Sequence, residues 1–136
     1  MSDPTPAGDH DQLRELLQRY ARAADDRDLA ALAAVFHPEA EVTGSRGSQT
    51  LEEWLNGMRA PRAFPVSMHV IGDPLVVFEP DPDEAHLDTY AVVYQLSEPA
   101  SGGSDLTLGI RYLDDVVRLD GRWVVRRRTA STIWMR

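Results

Sequence analysis

The sequence predicts an α+β domain in which three N-terminal helices pack on one face of a curved, mostly antiparallel sheet. Between Asp11 and Arg59, apolar side chains recur at the three- and four-residue spacing of amphipathic helices. From Val66 onward the chain instead carries four extended runs rich in Val, Ile, Phe, Tyr and Thr. Helices followed by strands are typical of this class, and a curved sheet covered on one side leaves a cone-shaped pocket between the layers.

Apolar spacing and capping residues predict the three helices. The first covers residues 11–24, with an apolar stripe formed by Leu13, Leu16, Leu17, Tyr20, Ala21 and Ala24. Asp28 suits the N-cap of a second helix, LAALAAVF, which the His37–Pro38 pair ends. After a short strand, AEVTG, and a Gly/Ser-rich loop, Thr50 and Glu53 have the capping-box spacing that opens a third helix, LEEWLNGMR.

The strands are predicted from β-forming residues between turn signals. The four runs are VSMHVIGDPLVVFE, AHLDTYAVVYQLSE, DLTLGIRYLDDVVRL and RWVVRRRTASTIWM. Asp120–Gly121, between the last two runs, is a two-residue hairpin signal. Alternate side chains of a strand share a face, so Asp88 lies with His86 and Tyr90 among large apolar and aromatic groups. We expect this face to enter the pocket.

Length and composition limit the available chemistry. The 136 residues suffice for one domain, with residues 1–9 as a flexible N-terminal arm and residues 10–136 as the folded unit. The 22 acidic and 14 basic residues give a formal net charge of −8, which disfavours nucleic acid as a partner. All the bases are arginine and cysteine is absent, which excludes lysine Schiff bases, PLP attachment and thiolate chemistry.

Other partners are also not expected. No apolar segment approaches the ~20 residues of a membrane span, and the first residues lack the basic and apolar pattern of a leader. We therefore expect a cytoplasmic protein with no membrane partner. A metal site built from His69, His86 and Asp88 has no recognised ligand spacing, so we expect neither a metal nor another cofactor.

An acidic cluster, Asp25, Asp26 and Asp28, separates the first two helices. At about 100° per residue, Asp25 lies roughly 110° from the centre of the apolar stripe and Asp26 roughly 150°, so Asp25 is the more inward of the two. From the residues alone, structural explanations stay open. Asp25 is more simply explained as a solvated residue at the end of a helix, and Tyr20 as an ordinary core residue. His69 is explained equally well as a structural histidine of the sheet and as a general base.

Three stretches taken together resemble a known family. RYARAADDRDLAALAAVFHPEAEV, the lone histidine in SMHVIGDPLVVFE, and GIRYLDDVVRLDGRWVVRRR are similar, in this order and spacing, to the SnoaL-like branch of the nuclear transport factor two-like superfamily. The resemblance extends from about Asp11 to Trp134. The branch includes polyketide cyclases, dehydratases, a lindane dehydrochlorinase and a ketosteroid isomerase, besides members with no known activity. The resemblance therefore implies the fold more firmly than the reaction.

The resemblance also implies a set of catalytic residues. The dehydratase-like pattern places Tyr20 on the first helix, Asp25 five residues later and His69 on the first long strand. Asp88 and Arg128 are the nearest matches to a later acid and to an arginine near the end. In these roles Asp25 orients His69 as general base, Tyr20 donates to a leaving oxygen, and Arg128 stabilises enolate-like charge. A structural ion pair of Asp88 with Arg128 or Arg126 explains Asp88 equally well.

Departures from the family pattern reduce the number of family activities that the chain could have. Tyr20 stands where the dehydrochlorinase has a lysine, which puts that activity in doubt. Thr43 and Gly44 stand where the ketosteroid isomerase has its carboxylate base, so that particular isomerase activity is rejected. Scytalone dehydratase has a second histidine on the next strand, and only His86 is close to that place.

Two functions from different classes follow. The first is a cofactor-independent lyase or isomerase, a dehydratase or cyclase, that acts on a hydrophobic carbonyl- or hydroxyl-bearing small molecule through His–Asp general base catalysis. The second is a non-catalytic small-molecule-binding or dimerisation module. Either way Trp54, Met58, Phe64 and Tyr90 are expected to line the pocket. The strands offer apolar surface on both faces, so a homodimer is expected.

Overall fold

The computed structural model describes residues 6–136, which form three α-helices, seven strands and one short 3₁₀ turn. No helix within this range is long and apolar enough to cross a membrane. In chain order the elements are α1 Pro6–Asp26, α2 Leu29–Val35, β1 Phe36–Gly44, β2 Gly47–Thr50, α3 Leu51–Met58, β3 Val66–Ile71, β4 Leu75–Phe78, β5 Glu84–Leu96, the 3₁₀ turn Pro99–Ser101, β6 Leu106–Leu119 and β7 Arg122–Met135.

The seven strands form one mixed, mostly antiparallel sheet. Its order is β2-β1-β7-β6-β5-β3, and β4 also pairs with β5. Only the β1–β7 pair is parallel among these strands. The helices cover one face, which confirms the predicted α+β cone with three N-terminal helices. Three details differ. The first strand begins at Phe36, which was assigned to the second helix, rather than at Ala40. Part of the expected Gly/Ser-rich loop forms β2, and the first predicted run is divided into β3 and β4 around Gly72–Pro74.

The first helix begins earlier than the sequence predicted. It includes residues 6–9, which were assigned to the flexible arm, whereas residues 1–5 of that arm lie outside the described part of the chain. Asp9 is buried, forms an ion pair with Arg118 and accepts a hydrogen bond of 3.4 Å from the indole nitrogen of Trp123. These contacts with β6 and β7 explain why the helix continues beyond its apolar stripe.

The predicted caps and the hairpin turn are confirmed. The Asp28 side chain accepts from the Ala31 amide at 3.1 Å and so begins α2. Thr50 and Glu53 form both hydrogen bonds of a capping box at the start of α3. Asp120–Gly121 joins β6 to β7 with positive φ at both residues, the geometry that a tight hairpin turn requires.

The two faces of β5 are reversed relative to the prediction. Its helix-facing side carries the buried residues Ala85, Leu87, Thr89, Ala91 and Val93. The face with Asp88 and Tyr90 points away from the helices, and Tyr90 is 60% exposed. The expectation that this face enters the pocket is therefore wrong. Alternation fixes which residues share a face but not which of the two faces is covered.

Candidate active site

The end of α1 holds Asp25 against the sheet. Arg27 adopts a left-handed conformation with φ of 54°, its amide donates to the Ala24 carbonyl at 3.3 Å, and the Asp28 amide donates to the Ala23 carbonyl at 3.0 Å. These two hydrogen bonds are the Schellman ending of a helix. The helix thus ends at Asp26, one residue after Asp25, whose carboxylate reaches β3.

Asp25 and His69 form a hydrogen-bonded pair. One oxygen, Oδ1, lies 2.6 Å from Nδ1 of His69, and the other, Oδ2, accepts from the backbone amide of His69 at 2.9 Å. Because an ionised carboxylate only accepts, Nδ1 carries the proton and Nε2 of a neutral His69 is left with its lone pair. The side chains are 12% and 19% exposed, so the pair is largely shielded from water.

A third hydrogen bond fixes the carboxylate. Ser67, two residues before His69 on the same face of β3, donates to Oδ1 of Asp25 at 2.9 Å. Nη2 of Arg62 in turn donates to the Ser67 hydroxyl at 3.3 Å. Asp25 is therefore oriented from three directions, which is the arrangement that a positioning carboxylate needs.

Tyr20 and Arg128 lie behind His69 in an aromatic and cationic cluster. The Tyr20 ring packs edge-on against His69, with centroids 5.8 Å apart, and also against Tyr112 at 5.7 Å. The Arg128 guanidinium lies 4.1 Å from the centre of each tyrosine ring. Asp114 binds this guanidinium through two hydrogen bonds of 2.8 and 3.0 Å, and both side chains are almost fully buried.

The charges of this cluster are set by burial and pairing. Burial opposes the charged form of Arg128, but the Asp114 carboxylate more than offsets that effect, so the Arg128 pKa lies above its ordinary value. Burial, reinforced by Tyr20, raises the pKa of Tyr112 well above its ordinary value. Arg128 is thus a permanent buried cation, and Tyr112 keeps its proton at neutral pH.

A cavity of about 480 Å³ lies between α3, the segment after it and the inner face of the sheet. We call it the cone cavity. Trp54, Met58 and Phe64 form apolar walls, and Ser67 contributes a polar wall. His69 follows Ser67 on the same face of β3. Asp25 and His69 do not themselves line the cavity; Ser67, which donates to Asp25, connects the pair to the cavity wall.

The structure brings together Tyr20, Asp25, His69 and Arg128, but it places two other candidates elsewhere. Asp88 is on the outer face of the sheet, where it accepts from Nε and Nη2 of Arg111 at 2.9 and 2.5 Å. That guanidinium lowers the pKa of Asp88 and lies 5.5 Å from the ring centre of the exposed Tyr90. Neither residue lines the cone cavity. Their predicted place in the pocket is wrong because the faces of β5 are reversed.

Sequence reasoning missed Asp114 as the acid that binds Arg128. Asp114 shares a face with the buried Tyr112 and Val116, so alternation along β6 is a signal that could have found it. Ser67 and Arg62 had no such signal, because their bonds link separate segments. Among residues 6–136 no group of three or more His, Cys, Asp or Glu side chains is arranged to hold a metal ion.

The fold and the site together define a class of protein, a cone-shaped α+β domain of the nuclear transport factor two-like kind with a polar cluster at its cavity. The SnoaL-like domain model matches residues 6–129, so the chain belongs to the SnoaL-like domain family. No functionally curated protein is significantly similar to the chain in sequence.

Solved structures with the same fold are similar over nearly the whole chain. A provisionally assigned scytalone dehydratase from Novosphingobium aromaticivorans is 20% identical, with a TM-score of 0.84 over 96% of this chain and 88% of that one. A hexachlorocyclohexane dehydrochlorinase from Novosphingobium barchaimii is 16% identical, with a TM-score of 0.83 over 99% and 93%. A protein from Kribbella flavida is 18% identical, with a TM-score of 0.86 over 97% and 95%. At these identities the likeness establishes the fold alone.

Proposed function

We propose that the protein is a cofactor-independent lyase or isomerase, of the dehydratase or polyketide cyclase type, that acts on a hydrophobic small molecule bearing a carbonyl or hydroxyl group. The observation that carries the proposal is the Asp25–His69 pair, held by three hydrogen bonds, one of which comes from Ser67 in the wall of the cone cavity. Fold relatives named as a dehydratase and a dehydrochlorinase support an elimination reaction. Asp88, on the outer face, has no part in it.

In a dehydration, Nε2 of His69 removes a proton from the carbon next to the substrate carbonyl. The electron pair of that C–H bond forms a C=C bond, the β C–O bond breaks, and the hydroxyl leaves as water with a proton from Tyr20. The proton on His69 then returns to Tyr20 through solvent. Asp25 stabilises the imidazolium, and the Arg128 cation over the ring stabilises negative charge on Tyr20.

Deuterium exchange tests the general base without knowledge of the natural substrate. Tetralone, a bicyclic ketone with an acidic C–H beside its carbonyl, is incubated with the protein in D₂O and followed by NMR. The wild type is expected to accelerate exchange, and His69→Gln to lower the protein-dependent rate roughly 10²-fold or more, as is typical for loss of a general base. Asp25→Asn should lower the rate as well, because an amide does not enforce the productive tautomer.

His86→Gln is the matched control. His86 also contacts two carboxylates, Asp115 and Glu79, but it lies on the outer face of the sheet, so this variant should exchange at the wild-type rate. No acceleration by the wild type, or an unchanged rate in His69→Gln, would overturn the catalytic proposal. Binding of tetralone without exchange would support the alternative, a small-molecule-binding module.

A dimerisation function is favoured by a separate observation. The outer face of the sheet exposes an apolar patch that includes Val66, Met68, Val70, Tyr94 and Leu96, each 39–54% exposed. Register places these side chains across neighbouring strands, so they form one surface. We propose that a second copy of the chain covers this patch, because a contiguous apolar surface of this kind marks an interaction site.

Sedimentation velocity over a range of concentrations tests the dimer. The wild type is expected to sediment as a dimer, and Met68→Arg, which places a charge in the centre of the patch, as a monomer. Glu52→Arg, on the exposed side of α3, is the control that leaves the dimer intact. A wild type that remains monomeric at every concentration would rule out the proposed interface.

A further inference from the structure

The walls of the cone cavity carry an unbalanced positive charge. They include three arginines, Arg27, Arg46 and Arg62, and no acidic side chain, although the whole chain has a net charge of −8. Within residues 6–136, none of these three arginines forms an ion pair. By contrast, Arg111, Arg118 and Arg128 each bind a carboxylate. The cavity wall therefore carries cationic groups that have no carboxylate partner among residues 6–136.

Arg27 is held in the cavity wall at a cost to the backbone. Its φ of 54° is left-handed, a conformation that favours glycine at the end of a helix. Its Nη1 donates to the Met58 carbonyl at 3.0 Å, while its buried Nε has no hydrogen-bond partner among the described residues. The helix ending accounts for the backbone, whereas the incompletely bonded guanidinium is a group that an anionic ligand would satisfy.

Arg62 approaches the same space from the segment after α3. It donates to the Pro65 carbonyl and to the Ser67 hydroxyl, both at 3.3 Å, and its buried Nε also lacks a partner in the described part of the chain. Burial lowers the pKa of Arg27, and the charge of Arg62 lowers it further, so the two guanidiniums lie close enough to repel each other. An anion between them would relieve both the repulsion and the desolvation.

We propose that the cone cavity binds a small molecule that carries a carboxylate, with Arg27 and Arg62 holding the carboxylate and with Trp54, Met58 and Phe64 packing on its hydrophobic body. The binding site stands on its own, whereas the statement that this molecule is the substrate rests on the proposed function. The subsite is linked to the base through hydrogen bonds from Arg62 to Ser67 and from Ser67 to Asp25, of 3.3 and 2.9 Å. A carboxylate bound there positions the rest of the molecule toward His69.

Calorimetric titration with naphthoate and with its neutral methyl ester tests this charge preference. The two probes share one ring system, so their difference in affinity reports the carboxylate. Naphthoate is expected to bind the wild type roughly tenfold or more tightly than the ester, as one charged hydrogen bond would produce. Added salt should weaken naphthoate binding and leave ester binding unchanged.

Two variants assign the preference to the proposed residues. Arg27→Gly removes the guanidinium and also relieves the left-handed backbone, so the variant stays folded while the acid preference falls to near unity. Arg62→Gln keeps a donor for Ser67 and removes the charge, with the same expected loss of preference. Arg59→Gln, an exposed arginine of the α3 end that does not line the cone cavity, is the control and should keep the full preference.

The outcomes separate this inference from the proposed function. The carboxylate subsite is overturned if the wild type binds naphthoate and its ester equally well, or if the acid preference survives in both Arg27→Gly and Arg62→Gln. Neither result would affect the deuterium exchange experiment. His69→Gln is expected to retain the acid preference, because His69 is the base and not the binding group. A preference confirmed in a protein that catalyses no exchange would keep the subsite and reject the lyase.

Discussion

Replacement of Asp114 tests whether the cluster behind His69 is held by its buried ion pair. Both Asp114 oxygens accept from Arg128, at 2.8 and 3.0 Å, and the two side chains are 0% and 1% exposed. Two unit charges about 4 Å apart attract each other by about 4 kcal/mol at an effective dielectric constant of about 20. Asp114→Asn removes that attraction and leaves the Arg128 charge buried, so we expect a loss of about 3–5 kcal/mol in the free energy of unfolding.

Urea unfolding at neutral pH measures this loss. With an m-value of about 2 kcal/mol/M, a change of about 4 kcal/mol lowers the unfolding midpoint by about 2 M. The double variant Asp114→Leu with Arg128→Met should recover most of the loss, because it leaves neither charge buried without a partner. A recovery of this kind would separate the uncompensated charge from a general disruption of packing.

Asp88→Asn is the matched control for this prediction. Asp88 also binds an arginine of the neighbouring strand through two hydrogen bonds, but the side chains of Asp88 and Arg111 are 28% and 44% exposed. Solvent screens such a pair, so its loss should change the stability only slightly. A similar effect of Asp88→Asn and Asp114→Asn would refute the conclusion that burial decides the strength of these pairs.

Two further predictions concern the periphery of the fold. Thr50→Ala removes a side-chain acceptor of the α3 capping box and should lower the free energy of unfolding by about 1 kcal/mol, measured by urea unfolding against Ser as the conservative replacement. Hydrogen bonds to Asp115 and Glu79 raise the pKa of His86 in the folded protein above the pKa of about 6.5 that it has in the unfolded chain. The protonated His86 therefore stabilises the fold fully below about pH 6.5, and this stabilisation is lost as the pH rises through the folded-state pKa. Thermal unfolding from acid to alkaline pH should therefore show a decline in this window that His86→Gln reduces, and an unchanged decline would contradict this assignment.

Local interactions made much of the fold predictable from sequence. The caps at Asp28 and Thr50 and the Asp120–Gly121 turn depend on residues within a few positions of each other, and all three are confirmed. The change from helical to alternating apolar spacing along the chain predicted the α+β class, because this spacing is also a local property of the sequence. The resemblance added the site roles of Asp25, which helix phase alone supported only weakly, and of His69, which the strand pattern alone did not distinguish from a structural histidine.

The register of the β6–β7 hairpin is a feature that local sequence patterns did not predict. Moving away from the Asp120–Gly121 turn, β6 and β7 keep one register as far as the pair Val116–Val125. The next pair is Asp115 with Arg127 instead of Arg126. One extra residue, Arg126, is thus accommodated in a bulge, and Arg128 rather than Arg127 comes to lie opposite Asp114. The sequence offered three consecutive arginines, and this one-residue shift decided which of them is buried.

The sequence by itself determined the class of fold, the caps, the last hairpin and the residues that share each strand face, because these depend on neighbours in the chain. Only the tertiary structure decided that the face with Asp88 points outward, that Asp114 binds Arg128, and that Arg27 and Arg62 meet at one cavity. Each of these depends on segments distant in sequence and on which sheet face the helices cover. Periodicity is identical for both faces, so packing alone makes that choice.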